Sequence, residues 1–288
     1  MNSIEELKSH LGTPYYDDGD VLIYHGDCVK LMSCLPEASI PLTVTSPPYN
    51  IGKEYERVLS LEEYLGWSET WIDFVHRITS PTGAFWLNLG YINIDGRAKA
   101  IPLPYLMWDR IPFFMIQEIV WNYGAGVAGR KFFSPRNEKF LWYVKSEESY
   151  TFNLDAVRDP NVKYPNQKKN GKLKCNPLGK NPSDVWQISK VTSGRDRASK
   201  ERTSHPAQFP IELIRRVILA SSNPGEVVLD PFLGSGSTAE AALLDGRKAI
   251  GFEINEGYAE LAAKRIENVR LQRTVTDSQK SLFDLSAR

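Results

Sequence analysis

The sequence predicts an α/β protein with a doubly wound, mixed but mainly parallel sheet and a basic insertion. Two observations support this fold class. Apolar runs typical of buried strands alternate with helical patterns in both halves of the chain. Between the halves, residues 159–204 are basic, rich in Asn, Lys and Pro, and without periodicity. The 288 residues are 42% hydrophobic and 11% aromatic, which suffices for a packed core and excludes a wholly disordered chain.

The first half alternates strands and helices, and its longest helix is predicted where aromatic side chains recur at helical spacing. The predicted strands are Val21–His25, Pro41–Thr45, Ala84–Leu89, Met115–Trp121 and Phe140–Val144, and the predicted helices are Cys28–Leu35, Leu61–Ile78 and Pro102–Asp109.

The second half begins after the insertion and repeats the alternation. Its predicted helices are Pro210–Ala220, Thr238–Leu244 and Gly257–Val269, and its predicted strands are Val227–Leu229 and Lys248–Phe252. The polar residues 271–288 are expected to form a flexible tail.

Charge is distributed unevenly along the chain. Thirty-five basic residues balance thirty-five acidic ones, but residues 161–204 contain eleven Lys and Arg against three acids. This segment therefore has a net charge of +8, and the rest of the chain has −8. A basic block of this size predicts a polyanionic partner.

Composition also indicates where in the cell the protein is expected and whether it binds a metal. No apolar window reaches the length of a membrane span, and the first residues do not resemble a signal sequence. The three cysteines, Cys28, Cys34 and Cys175, form neither a disulfide framework nor a zinc-ligand spacing. We expect a cytoplasmic protein with no metal and no membrane partner.

A glycine loop is the main cofactor signal. The strand that ends at Asp230 leads into Gly234-Ser235-Gly236-Ser237-Thr238, and Glu253 ends the next strand nineteen residues after Gly234. Glycines allow close backbone approach to a ligand, and an acid at that strand end suits ribose hydroxyls. Taken alone, the glycine spacing also fits a dinucleotide-binding loop or a simple tight turn between a strand and a helix.

Asp230 narrows the choice of ligand. A carboxylate at this place would repel a pyrophosphate but would suit a cationic amino or sulfonium group. Ser235, Ser237 and Thr238 offer hydroxyl donors at a helix N-terminus for a carboxylate. S-adenosylmethionine therefore fits better than NAD.

A second motif, Ser46-Pro47-Pro48-Tyr49, follows the strand that ends at Thr45. The two prolines cannot continue a strand ladder, so they hold a rigid turn with carbonyl acceptors. Acceptors of this kind would orient an exocyclic amino group, and Tyr49 would stack on a base that has left the duplex. A strand-ending turn with a core tyrosine is the alternative.

Together the two motifs resemble the DNA amino-methyltransferases of the β class. Ser46–Tyr49 looks like their catalytic motif, and the Asp230–Thr238 loop with Glu253 looks like their S-adenosylmethionine motifs, in the order typical of that class. The resemblance spans roughly residues 21–269 and implies a Rossmann-like S-adenosylmethionine-dependent methyltransferase fold. It implies a catalytic half at 1–158, a target-recognition region at 159–204, a cofactor half at 205–270 and a tail at 271–288.

The resemblance also assigns the site residues. Ser46, Pro47, Pro48 and Tyr49 would be catalytic, and the following would contact the cofactor: Asp27, His205, Asp230, Phe232, Gly234, Gly236, Ser237, Thr238 and Glu253. Serine in the first motif position is similar to the branch that methylates cytosine N4, whereas aspartate is typical of adenine N6. Adenine-N6 methylation, an NAD-dependent dehydrogenase and an inert DNA-binding module are kept as alternatives.

The partners follow from the same resemblance. Double-stranded DNA would contact the basic segment, with Lys163, Lys168, Lys169, Arg195, Arg197 and Arg202 as candidates for phosphate or base contacts. A cognate restriction endonuclease and a second copy of the chain are further expected partners. The peptide Gln279-Lys280-Ser281-Leu282-Phe283 resembles a docking motif for the replication sliding clamp.

Overall fold

The structure, a computed structural model, describes residues 3–52, 58–124, 126, 128–191, 199 and 201–286, with side chains to residue 273. In chain order its elements are α1 (Ile4–Leu11), β1 (Tyr16–Asp17), β2 (Val21–His25), α2 (Cys28–Cys34), β3 (Ile40–Thr45), α3 (Leu61–Ile78), β4 (Thr79–Leu89), β5 (Tyr91–Ile94), β6 (Ala98–Pro102), α4 (Pro104–Met107), β7 (Phe114–Asn122), β8 (Asn137–Val144), β9 (Lys168–Lys169), β10 (Lys172–Leu173), β11 (Val185–Gln187), α5 (Ile211–Ser221), β12 (Val227–Asp230), α6 (Ser237–Leu244), β13 (Lys248–Glu253) and α7 (Glu256–Ser286).

The main sheet of the described residues has nine strands in the order β1-β2-β13-β12-β3-β4-β8-β7-β11. Strand β8 runs antiparallel to both its neighbours, and β1 runs antiparallel to β2. The remaining pairs are parallel. The predicted mixed, mainly parallel sheet is confirmed.

Strands β12 and β3 lie side by side at the point where the winding of the chain reverses. From β12 the chain crosses through α6 to β13 on one side, and from β3 it crosses through α3 to β4 on the other. Ligands bind at such a switch point, outside the carboxyl ends of the strands. Thr45 and Asp230 end these two strands, and the Thr45 hydroxyl donates to Asp230 Oδ1 at 2.6 Å.

Helices cover both faces of the sheet and make two cores. Helices α5, α6 and α7 pack on one face, and α1 to α4 pack on the other. Every residue of β3 and β12 is buried, because parallel strands covered on both faces read as nearly continuous apolar runs. Helix α3 starts at a capping box formed by Ser60 and Glu63 and buries Trp71.

Two predictions in the first half were wrong in detail. Strand β4 begins at Thr79 rather than Ala84. The predicted helix Pro102–Asp109 is only the short α4 and a 3-10 turn over Trp108–Arg110. Pro102 instead ends β6 in a hairpin with β5, and Pro104 occupies the first helical turn, where its missing N–H costs nothing.

The insertion is more closely joined to the sheet than its irregular sequence suggests. Residues Val185–Gln187 form β11, which pairs in parallel with β7. Trp186 and Ile188, the apolar anchors predicted from the sequence, are 7% and 5% exposed. Trp186 stacks on Trp86 of β4, with ring centroids 5.9 Å apart.

The last helix is also longer than predicted. Helix α7 continues to Ser286, beyond the expected end at Val269, because no glycine or proline interrupts that stretch. The backbone of the expected flexible tail is therefore helical to that residue. The side chains of the predicted clamp-docking peptide, 279–283, lie outside the described ones. No described helix is long and apolar enough to span a membrane.

Candidate active site

A cavity of about 620 Å³ opens at the carboxyl ends of β12 and β3. It brings together the two motifs that the sequence singled out. Of the predicted site residues, those that line it are Asp27, Ser46, Pro47, Pro48, Tyr49, His205, Asp230, Phe232, Gly234, Ser237, Thr238 and Glu253. We call Asp27, His205, Asp230–Thr238 and Glu253 the loop wall, and Ser46–Tyr49, Asn88, Trp121, Tyr123, Glu138 and Lys190 the Ser46 wall.

The two glycines of the loop wall have different neighbours. Gly234 has a φ of 52°, and a Cβ there would lie 2.9 Å from His205 Nε2, so the turn requires glycine. Gly236 has a φ of 79°, but its missing Cβ faces Ala262 of α7 at 2.9 Å. Gly236 does not line the cavity, and it allows α7 to pack closely against the loop.

His205 lies between Gly234 and Tyr258, with its ring centroid 4.5 Å from that of Tyr258. Burial lowers the pKa of His205 to about 4. The imidazole is therefore neutral at pH 7 and lines the cavity as an uncharged polar surface.

Asp230 is almost fully buried, and its carboxylate is held by three donors. Oδ1 accepts from the Thr45 hydroxyl at 2.6 Å and from the Phe232 backbone N–H at 3.1 Å, and Oδ2 accepts from the Thr238 hydroxyl at 2.6 Å. Burial is the main cause that raises the pKa of Asp230 to about 6. The carboxylate thus fixes the loop across the switch point, and its predicted contact with a cationic ligand group stays a prediction.

The loop hydroxyls are engaged in the same way. Thr238 donates to Asp230, and Ser237 donates to the Phe209 carbonyl at 2.9 Å. Their single protons are therefore directed into the protein rather than toward a ligand carboxylate. The backbone N–H groups of the first turn of α6 are the donors that a helix N-terminus leaves for an anion.

Arg265 of α7 holds this loop through hydrogen bonds and an ion pair, and sequence reasoning missed it. It is 8% exposed, pairs with Glu240 of α6, and its Nη1 donates to Ser237 Oγ at 3.1 Å. No local motif marks it, because its partners lie between 25 residues (Glu240) and 64 residues (Glu201) away in sequence.

Glu253 and Asp27 lie at the ends of adjacent strands β13 and β2. The two oxygens of Glu253 accept from the backbone N–H groups of Gly234 and Asn255, each at 2.8 Å. A carboxylate has about four lone-pair sites, so Glu253 keeps acceptor capacity for a ligand. Asp27 caps α2 by accepting from Val29 and Lys30.

Ser46 is held in a chain of hydroxyl groups on the opposite wall. Its Oγ lies 2.9 Å from the Tyr49 hydroxyl, which donates to Asn88 Oδ1 at 2.6 Å. Asn88 is fixed in this orientation because its Nδ2 donates to the Lys139 carbonyl. When the Ser46 hydroxyl donates its hydrogen bond to the Tyr49 oxygen, the lone pairs of Ser46 Oγ stay available to accept one.

The rest of the motif is held just as firmly. The Pro48 carbonyl already accepts from the Tyr64 hydroxyl at 2.8 Å, so this predicted acceptor is partly engaged. The Tyr49 ring packs on Gly90, where a Cβ would lie 2.9 Å from it. Burial and the nearby Glu138 carboxylate keep the pKa of Tyr49 well above its usual value, so the phenol stays protonated and donates. Its stacking on a base stays a prediction.

Glu138 and Lys190 complete the Ser46 wall, and neither was given a role from sequence. Lys190 Nζ lies 2.5 Å from Glu138 Oε1, 3.9 Å from the centroid of the Tyr123 ring and 5.4 Å from that of Trp121. Glu138 Oε2 lies 3.3 Å from the Tyr49 hydroxyl and is a second acceptor within reach of its single proton. The signal that could have found Lys190 is its place just after the buried anchor Ile188, in the basic insertion.

The predicted DNA contacts lie elsewhere. Lys163, Lys168 and Lys169 are exposed and do not line the cavity, and the last two form the short hairpin of β9 and β10. Arg202 is exposed near the end of the insertion. Arg195 and Arg197 lie outside the described residues.

The fold, the switch-point cavity and the two motifs define a methyltransferase that acts on DNA. The chain matches the DNA methylase family model over residues 40–264 and belongs to that family. It is 63% identical over 264 residues to the Type II methyltransferase M.ScaI of Streptomyces caespitosus, covering 92% of this chain and 87% of the relative. It is 33% identical to the DNA adenine methyltransferase YhdJ of Escherichia coli K12, covering 85% and 82%.

Solved structures agree on the fold. The PvuII DNA methyltransferase (cytosine-N4-specific) superposes with a TM-score of 0.69 at 23% identity, covering 89% of this chain and 93% of that chain. A DNA modification methylase from Thermus thermophilus, complexed with S-adenosyl-L-methionine, has a TM-score of 0.59 at 24% identity, covering 86% and 95%. Membership of the family decides against an NAD-dependent dehydrogenase.

S-adenosylmethionine is the cofactor of this family, and the residues of the loop wall fit it. Glu253 offers carboxylate lone pairs for ribose hydroxyls, and the N-terminus of α6 suits a carboxylate. Phe232, Phe252 and Trp67 supply aromatic surface around the same end of the cavity. Among the described residues, no cluster of three His, Cys, Asp or Glu could hold a metal ion.

Proposed function

We propose that this enzyme transfers a methyl group from S-adenosylmethionine to the N4 amino group of a cytosine flipped out of duplex DNA. The observation that supports it best is the hydrogen-bond chain from Ser46 through Tyr49 to Asn88. This chain leaves Ser46 Oγ as an acceptor in the cavity whose other wall suits the methyl donor.

An acceptor is what this reaction needs from Ser46. The lone pair of an exocyclic amino group is delocalised into the base, so the nitrogen is a weak nucleophile. When Ser46 Oγ accepts a hydrogen bond from one N–H group, it favours a pyramidal nitrogen, whose lone pair then points toward the loop wall. Bound S-adenosylmethionine supplies an electrophilic methyl carbon on a sulfonium sulfur. Positioning and desolvation supply most of the rate, and the proton leaves the methylated, more acidic nitrogen afterwards.

The loop wall would bind the cofactor by its separate parts. Glu253 and Asp27 would accept from the adenosine end, and the first turn of α6 would bind the methionine carboxylate. Asp230 would act by fixing the loop through Thr45 and Thr238. His205, neutral at pH 7, and Phe232 would complete the walls.

Lys190 and Glu138 support cytosine as the base. Cytosine presents an amino donor beside the N3 and O2 acceptors, whereas adenine carries a C–H group where cytosine has O2. Lys190 is a donor beside the acceptor carboxylate of Glu138, so the pair matches an edge of the base that carries both acceptors and a donor. Tyr123 and Trp121 offer aromatic faces for the ring. Lys163, Lys168 and Lys169 would contact phosphates of the same duplex.

The resemblance to Type II methyltransferases supports a role as the modification partner of a restriction endonuclease. Adenine-N6 methylation is the second candidate, and the likeness to the DNA adenine methyltransferase YhdJ favours it. Both reactions need an amino group and an acceptor, so the same wall would serve either base.

Nucleoside mass spectrometry tests the proposal. The protein and its Ser46→Ala variant are expressed in a host without DNA methylation, and the host DNA is digested to nucleosides. We expect N4-methylcytosine with the wild-type protein and none with the variant. N6-methyladenine would establish the second candidate, and the absence of both marks with soluble protein would contradict the proposed activity.

A further inference from the structure

The loop that joins β7 to β8 leaves the sheet at the edge where the cavity opens. Strand β8 runs antiparallel to both β4 and β7, so β7 points in the same direction as β4. The carboxyl end of β7, at Asn122, therefore lies at the ligand-binding edge with those of β3 and β4. Both ends of the loop line the cavity, through Tyr123 and Pro135.

The tip of this loop exposes two adjacent aromatic rings. Phe133 is fully exposed, and Phe132 is 55% exposed. The two residues that precede them, Arg130 and Lys131, are exposed as well. Single exposed apolar side chains are common on proteins, but adjacent large rings next to cations indicate a binding surface.

The loop holds this tip in a defined turn. The Gly129 backbone N–H donates to Ser134 Oγ at 2.6 Å. A Cβ at Gly129 would lie 2.6 Å from the Phe132 carbonyl oxygen, so the turn admits only glycine. At the base, the Tyr123 N–H donates to the Arg136 carbonyl at 3.0 Å. The rings are thus presented by a closed turn beside the cavity.

We propose that Phe133, next to Phe132, inserts between the base pairs of the DNA as a wedge when the target base enters the cavity. Phe133 is two residues from Pro135, hence within about 7 Å of the cavity lining along the backbone. A flipped base leaves a gap in the stack, and apolar side chains such as Phe fill gaps of this kind. Arg130 and Lys131 would contact the flanking phosphates. The inference rests on the proposed function, because only a base-flipping enzyme needs a wedge.

Phe133→Ala is a clean test, because a fully exposed ring makes no contact on which the fold depends. Phe114→Ala is the matched control: Phe114 is 43% exposed and lies at the opposite end of the same strand β7, at the other edge of the sheet. The substrate is a duplex containing the site that sequencing finds in DNA methylated by the wild-type protein. A second duplex carries a mismatch opposite the target base, which lowers the cost of flipping.

The single-turnover rate of methyl transfer is measured on both duplexes. On the paired duplex we expect Phe133→Ala to be slower than the wild-type protein by about 10- to 100-fold, because one base step then has to unstack with no aromatic ring to fill the gap. On the mismatched duplex the deficit should shrink to less than about 3-fold. Phe133→Trp should keep most of the rate, and Phe114→Ala should match the wild-type protein on both.

Two results would overturn the wedge. One is a Phe133→Ala rate equal to that of the wild-type protein on the paired duplex. The other is a deficit of the same size on both duplexes, which would indicate an ordinary DNA contact. A wild-type protein that methylates neither duplex would contradict the proposed function instead, so the two failures are distinguishable.

Discussion

The loop wall and the Ser46 wall of the cavity differ in how far apart their residues lie in the sequence. Most of the loop wall comes from one short segment, Asp230–Thr238, with Glu253 at the end of the following strand. The Ser46 wall combines one motif with Asn88, Glu138 and Lys190, which reach it from three other parts of the chain. A cofactor site made from one turn can be recognised as a motif, whereas a base site assembled from distant segments cannot.

The largest effect is expected at Ser46. Ser46→Ala removes the acceptor for the amino group but leaves the loop wall intact, so kcat should fall by about 100- to 1,000-fold. The affinity for S-adenosylmethionine should stay within about 3-fold of the wild-type value. Steady-state kinetics and isothermal titration calorimetry measure the two quantities. Loss of cofactor binding together with kcat would mean that the two walls are not separate in function.

A smaller effect is expected at Glu253, on cofactor binding rather than on kcat. Glu253→Gln removes the charged acceptor for the ribose hydroxyls, and one charge-assisted hydrogen bond corresponds to a rise of about 10- to 100-fold in the KM for S-adenosylmethionine. At saturating cofactor, kcat should recover. Glu256→Gln, at an exposed position three residues further on, is the matched control and should leave the KM unchanged. A fall in kcat that saturating cofactor does not reverse would contradict this assignment.

A still smaller effect is expected at Lys190, on the Ser46 wall. Lys190→Met keeps the aliphatic stem against Tyr123 and Trp121 but removes the cation from the base site and leaves Glu138 without this partner. We expect kcat/KM for DNA to fall by about 10-fold, with an unchanged KM for S-adenosylmethionine. The control is Lys264→Met, since Lys264 is exposed on α7 and pairs with Glu260 across one helical turn. Equal effects of both variants would rule out a role for Lys190 at the base.

A change in the pH dependence of stability, rather than in catalysis, is expected at Asp230. The pKa of Asp230 is raised from 3.8 to about 6 in the folded protein, so between these values the folded state binds the extra proton. The contribution of protonated Asp230 to the free energy of unfolding is therefore fully present below about pH 4 and is lost as the pH rises through 6. In Asp230→Asn this loss is absent.

Urea unfolding of both proteins from pH 4 to pH 7 measures this difference. The free energy of unfolding of Asp230→Asn, relative to the wild-type protein, should rise by about 2 to 3 kcal/mol over the range. Parallel curves for the two proteins would show that the buried carboxyl does not titrate there.

The sequence predicted the parts of the molecule in which neighbouring residues determine the structure. The buried strands, the long helix α3 and the two motifs are of this kind, because periodicity, capping and glycine turns are local properties. The glycine loop could be located, but the direction of its hydroxyl protons could not. Those hydroxyl groups donate to Asp230 and to the Phe209 carbonyl, and only tertiary packing brings the Phe209 carbonyl close to the loop.

The same reasoning explains what sequence reasoning missed. Lys190 and Arg265 act through partners 52 and 25 residues away, and no spacing rule connects such positions. Strand β11 has only three residues, and its central residue, Trp186, stacks on Trp86, which lies 100 residues earlier in the sequence. The helix predicted over 102–109 is shorter because Pro102 belongs to a hairpin, whose turn signal, Asp95-Gly96, sequence reasoning missed.

A crystal structure of the protein with S-adenosylhomocysteine tests the claim that the loop wall holds the methyl donor and directs it toward Ser46 across one cavity. We predict the ribose hydroxyls on Glu253 and the homocysteine sulfur within roughly 8 Å of Ser46 Oγ, which leaves room for the methyl group and one amino nitrogen between them. A ligand with its sulfur turned away from Ser46, or bound outside this cavity, would contradict the claim.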